Sequence, residues 1–352
     1  MFKLFRSPTP DETAPDARSG LHKLEPTGQD EDAPDFPLAA RIKYVNGLPY
    51  VDWKAVGAWI ATLPPELHPA AWSSCSTAWL LELKGALGPQ YRLDEGKRTA
   101  LLSSIEPALA PVTLDFMDKT SMRITRLLDG VAAPGEGRSI LVVFDDEDSY
   151  YNYVSYYYPE KGEFALSGGM YIDSGLGHFV TVKSDLHSVE PVIAHEMTHA
   201  SVARLPLRLW LNEGLAVNTE RALTWSGRPL RAPDEMHRRH LAFWGSPEIQ
   251  EFWSGKSFSR TDEGSELSYD LAQIMVEQMA KDWPAFRAFV LAANRSDSGA
   301  QAARVRLGVD LGSYVCALLE KDDARGWAPD PSSWAREDGV PAPARRVARR
   351  HA

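Results

Sequence analysis

The chain has 352 residues, 44% of them apolar, enough for a substantial core in one large domain or two ordinary ones. Its net charge of −10 argues against nonspecific nucleic-acid binding. No apolar run reaches membrane-spanning length, residues 286–293 coming nearest. Cys75 and Cys316 are too few for a cysteine-ligated structural zinc site, and disulfide dependence is not expected. With no signal-like stretch in residues 1–10, the expected location is the cytoplasm, and the abundance of Ala, Arg and Pro has a bacterial look.

Residues 1–38 are rich in Pro, Asp and Glu. Four basic against eight acidic side chains within 1–37 make this segment a disordered acidic arm. Residues 39–133 read as a mostly helical N-terminal region. It opens on a hairpin signal, Ile42–Val45 and Leu48–Val51 around Asn46-Gly47, with Pro49 confining the second run to a sheet edge. Residues 54–132 then follow helical periodicity, broken at Pro64-Pro65, Gly88-Pro89 and 107–111.

Ser139–Phe144 is an apolar, β-branched run that predicts a strand leaving the core into the charged loop Asp145-Asp146-Glu147-Asp148. Six tyrosines follow: Tyr150, Tyr151, Tyr153, Tyr156, Tyr157 and Tyr158. They suit an aromatic cleft or a cover for the sheet, and the structural role is the expectation. Two more strands, 164–172 and 178–182, are separated by a turn at Asp173-Ser174-Gly175-Leu176-Gly177.

Residues 195–199 read His195-Glu196-Met197-Thr198-His199. Apolar flanks extend the helix on both sides, with Ser188 as the expected N-cap and Pro191 tolerated in the first turn. Residues four apart on a helix stand one turn above each other, so both imidazoles can reach one ion. Glu196 sits beside that face, poorly placed as a ligand but able to take a proton from water at the metal. Glu213, in Trp210-Leu211-Asn212-Glu213-Gly214, can supply a third ligand and leave the fourth position open. A metzincin would need Gly and His where this chain has Val202 and Leu205, and the inverted H-x-x-E-H order is absent. One Zn2+ held by His195, His199 and Glu213, with Glu196 as general base, is the reading that remains.

Helical patterns near 232–243, 266–281, 283–293, 299–306 and 311–320 complete a region expected to span 134–322. His237 and His240 could touch one metal, but Arg238 and Arg239 between them favour a solvated helix face. Residues 323–352 read as a flexible Pro/Arg-rich tail carrying Trp327, Trp334 and the run Arg345-Arg346-Val347-Ala348-Arg349-Arg350. Partner contact through this tail or the acidic arm is a secondary expectation.

The run from His195 to Ala200, followed by Leu209-Trp210-Leu211-Asn212-Glu213-Gly214-Leu215-Ala216 and Glu220, resembles the catalytic core of the gluzincin metallopeptidases. It is most similar to their alanyl-aminopeptidase-like branch and to short peptidase MA-like domains. The resemblance implies an α+β, zincin-like fold with a small mixed sheet, the H-E-x-x-H helix and a helical C-terminal part. It implies the same ligands and base, with Glu220 beside a ligating histidine to fix its ring. Gly168-Gly169-Met170 lies about where that branch carries a Gly-Ala-Met-Glu-Asn strand along the substrate cleft. Tyr171 and Ile172 replace the Glu and Asn, so the clamp for a free amino terminus is missing and cleavage within a chain is favoured. Tyr269 resembles the branch's oxyanion-holding tyrosine, and His178 is a second candidate, read as lying on the edge strand. The expected activity is endopeptidase-type, zinc-dependent hydrolysis of a peptide or protein substrate, with no nucleic-acid or membrane partner. A zinc hydrolase acting on another bond, or a catalytically silent zincin-fold binding protein, are the alternatives.

Overall fold

The structure, a computed structural model, describes residues 36–334 apart from 134, 136, 158–168, 185 and 225–230. Most of the expected acidic arm, Tyr158, Gly168 and the arginine run after 345 lie outside the described residues. Asn46 and Gly47, both at positive φ, form the expected turn between β1 (Ile42–Val45) and β2 (Leu48–Val51). Helices α1 (Trp53–Ile60) and α2 (His68–Leu87) follow, and the buried Trp79 of α2 donates its ring N–H to the Pro49 carbonyl.

The region expected to be mostly helical also holds two strands, β3 (Arg92–Glu95) and β4 (Thr99–Ser103). Such short runs carry too few residues for a period to declare itself. Their partner decides them, because Thr99–Leu102 pairs in parallel with Ser139–Val142 of β5 (Ser139–Phe144), across the intervening helix α3 (Leu109–Leu127). The sheet is completed by β6 (Gly169–Asp173) and β7 (Gly177–Val182), in the order β3-β4-β5-β7-β6. Strands β4, β5 and β7 run parallel, while β3 and β6 pair antiparallel at the two edges. The molecule is therefore α+β with a small mixed sheet.

Alternation along the strands builds a core on each face. Leu101, Leu141, Val143, Tyr171 and Phe179 face one core, shared with α3 and with α5 (Leu186–Val202). Ala100, Leu102, Ile140, Val142, Met170 and Val180 face the other, shared with α1, α2 and α4 (Glu147–Tyr157). The expected charged loop after β5 is thus cut short by α4, whose first turn Asp146 supports by accepting the Ser149 N–H at 2.7 Å. Tyr150 and Tyr153 are fully buried from that helix, so these tyrosines cover the sheet.

Helix α5 begins before the expected cap at Ser188, which leaves Pro191 inside it at the cost of one backbone hydrogen bond. Next come α6 (Leu209–Leu223), α7 (Pro233–Phe243), α8 (Ser246–Ser254), α9 (Glu263–Met279), α10 (Trp283–Ala292), α11 (Ala300–Arg306) and α12 (Leu311–Leu318). A Cβ on Gly214 would stand 2.5 Å from the Ala272 carbonyl oxygen, so glycine permits the close approach of α6 to α9.

The expected flexible tail is ordered over 323–334. Trp327 is buried in the larger core, and Gln250 of α8 binds this strap four times. Its amide donates to the carbonyls of Gly326 and Ala328, and its oxygen accepts from Asp330 N–H and the Trp334 ring. Among the described residues, no helix is long and apolar enough to cross a membrane.

Candidate metal centre

His195 and His199 stand one turn apart on α5, their ring centroids 4.7 Å apart. Helix α6 packs against α5 and brings Glu213 between the two rings. Glu213 Oε2 lies 3.1 Å from His195 Nε2 and 3.4 Å from His199 Nε2. One ligand atom from each of the three residues falls within 4.8 Å of the others.

The other nitrogen of each ring is also held. His195 Nδ1 donates to Glu220 Oε2 at 3.1 Å, and His199 Nδ1 donates to Asn212 Oδ1 at 2.7 Å. Both imidazoles therefore turn Nε2 towards the same point, the tautomer that metal ligation requires. Residues seven apart on a helix return to the same stripe after two turns, which explains how Glu213 and Glu220 reach one histidine. Glu220 thus contacts His195, the geometry that a ring-fixing role would need. Asn212, inside the Trp210–Gly214 run, carries no pattern of its own in the sequence that would mark this contact.

Burial sharpens the chemistry. His199 and Glu213 are 0% exposed, Glu196 1% and His195 2%. Burial works against a charge on His195, but hydrogen bonds to Glu213 and Glu220, with the charges of Glu213 and Glu196, override it and push the imidazole up to about 10. Burial likewise opposes ionisation of Glu213, yet His199 and His195 hold its carboxyl far below the usual range. Glu213 Oε1 is buried with no hydrogen-bond partner among the described residues. An inward-facing carboxylate and two oriented imidazoles are a donor set suited to a divalent metal ion, and these buried residues could hold one. Glu196 follows His195 in the same turn, close enough to add to its charge balance.

The remaining expected residues are scattered. His178 lies on β7, one strand in from the edge, and side-chain parity turns it to the sheet face opposite α5. There it is fully buried, with Nδ1 3.0 Å from the Leu176 carbonyl and Nε2 2.7 Å from the Tyr153 hydroxyl. Burial lowers its imidazole to about 4, so it is a neutral core residue and not an oxyanion donor. Tyr269, on α9, is half-buried with its ring edge-on to Phe258. On the true edge strand, Gly169 packs so closely on α5 that a Cβ would stand 2.8 Å from Val192 Cγ1. Met170 faces away from α5, while Tyr171 faces towards it. His240 is buried rather than solvated, accepting the Trp244 ring N–H and donating to Asp270 at 2.9 Å. His237 pairs separately with Glu320, so the two do not converge. In comparisons with known proteins, no family model and no curated protein matches the chain.

Proposed function

We propose that this chain is a zinc metallopeptidase of zincin-like fold and gluzincin type, acting on bonds within a peptide or protein chain. The observation that carries the reading is the convergence of His195 Nε2 and His199 Nε2 on Glu213 Oε2, with Glu196 in the same helical turn. His195, His199 and Glu213 would hold the zinc, and the bound ion would acidify a water and polarise the scissile carbonyl. Glu220 and Asn212 keep the two imidazoles in the ligating tautomer. Glu196 accepts the proton of the attacking water and returns it to the leaving amine. Tyr269, on the helix packed against α6, is our candidate for holding the oxyanion.

The edge strand β6 offers an extended substrate a backbone to pair with. Tyr171 in place of a carboxylate removes the grip on a free amino terminus, which favours endopeptidase cleavage. A reducing compartment such as the cytoplasm suits Cys75 and Cys316, which are buried free thiols.

The test is zinc content and turnover measured together on a panel of peptide, amide and ester substrates. Wild type should hold one zinc per chain and cut internal peptide bonds. Glu196→Gln should keep the zinc and lose roughly 100- to 10,000-fold in turnover. Zinc-free wild type, or full activity in zinc-loaded Glu196→Gln, would refute the proposal.

A further inference from the structure

A cavity of about 270 Å³ lies between α3, α5 and the turn end of the β6–β7 hairpin, and neither the proposed metal ligands nor Glu196 line it. Its walls are mixed: Trp72 from α2, Tyr171 from β6, Phe179 from β7 and Met197 from α5 supply aromatic and apolar surface, and Ser121, Thr125, Ser139 and Ser201 supply hydroxyls. The rings of Tyr171 and Phe179 pack at 5.2 Å. A side chain at Gly177 would collide with the Tyr171 hydroxyl, so the missing Cβ there lets the tyrosine lie along the cavity wall.

Arg138 is the sole charged side chain among the described lining residues. Glu95 engages its Nη1. A guanidinium has five N–H donors, so this contact, the one ion pair of Arg138 among the described residues, leaves further donors for a second acceptor. Planar guanidinium groups favour carboxylates, the hydroxyls can bind the same acid group, and the aromatic faces can take an apolar body. The volume falls below the roughly 300 Å³ at which sites for drug-sized ligands begin, which limits the occupant to about the size of an amino acid.

We infer that this cavity binds a small carboxylic acid with an aromatic body, the acid group meeting Arg138 and the ring lying between Trp72 and Tyr171. Met197 and Ala200 line it from the helix that carries the metal ligands. The acid therefore rests on the sheet side of α5, apart from Glu213.

3-Phenylpropionate is the probe, titrated calorimetrically into the zinc-loaded full chain. Saturable binding at one site per chain is expected, at least tenfold weaker for neutral 3-phenylpropanamide. That comparison needs no variant. Ser121→Phe, which fills the cavity from α3, should abolish binding, and Arg138→Gln should weaken it at least tenfold, with thermal melts confirming that both are folded. Affinity should persist after the metal is chelated. Absence of saturation, equal affinity for the amide, or undiminished binding by folded Ser121→Phe would overturn the inference. Loss of binding together with the metal would overturn it too, by placing the acid at the metal centre.

Discussion

Glu213 and Glu220, two turns apart on α6, grip opposite nitrogens of one imidazole: Glu213 Oε2 lies 3.1 Å from His195 Nε2 and Glu220 Oε2 lies 3.1 Å from His195 Nδ1. One contact faces the candidate ion site and the other fixes the ring behind it. Removing them should have different consequences. Glu213→Ala should abolish stoichiometric zinc, whereas Glu220→Ala should leave a site about 10- to 100-fold weaker. Competition with a chromophoric chelator measures both, and equal losses would contradict the division of roles.

Asn212 stands behind His199 as Glu220 stands behind His195. Asn212→Leu removes the acceptor for His199 Nδ1–H and should also lower zinc affinity about 10- to 100-fold. Asn212→Asp restores an acceptor and should recover most of it. If Asp proves as harmful as Leu in the chelator assay, the hydrogen bond is not the cause.

Metal uptake should expel a proton. In the metal-free fold His195 keeps its proton up to about pH 10, while an unfolded histidine releases it near pH 6.5. The stability this lends the metal-free chain is complete below about pH 6.5 and is lost as pH rises through about 10. Zinc titrated calorimetrically at about pH 8, in buffers of different ionisation enthalpy, should release about one proton per ion. A heat independent of buffer would be the contrary result.

Gly214→Ala offers a reversed sign. At an ordinary helical position the change stabilises by about 1 kcal/mol. Here the new Cβ meets the Ala272 carbonyl, so a loss of about 1–3 kcal/mol is expected in urea unfolding. A stabilised variant would show that α6 and α9 separate easily.

The strap held by Gln250 supplies a further test. Gln250→Ala removes four hydrogen bonds at once. Trypsin should then cut at the exposed Arg325 about tenfold faster or more, read by mass spectrometry. An unchanged cleavage rate would mean that buried Trp327 and the Arg208–Trp334 contact secure the segment without Gln250.

What was legible in the sequence is whatever follows from one helical period. The spacings of His195, His199, Glu213 and Glu220 are all of that kind. Asn212 was hidden because its role depends on how α6 crosses α5, which no local pattern sets. His178 was misplaced by strand order and parity: a strand-like stretch does not tell which strand is the edge, and neighbouring residues point to opposite faces. Strands β3 and β4 were missed because their pairing partner is remote in sequence. The strap has the composition of a disordered tail, yet two tryptophans and one glutamine bind it.

Contacts of Arg208 tie the helix that carries Glu213 to segments made later in synthesis. Arg208, just before the helix that carries Glu213, donates to the carbonyls of Arg295 and Ser254, and its guanidinium lies 4.7 Å over the Trp334 ring. Ribosomes deliver His195 and His199 long before any of these three. A growing chain thus has both imidazoles before the segments that anchor the helix carrying Glu213, α9 among them, have been made.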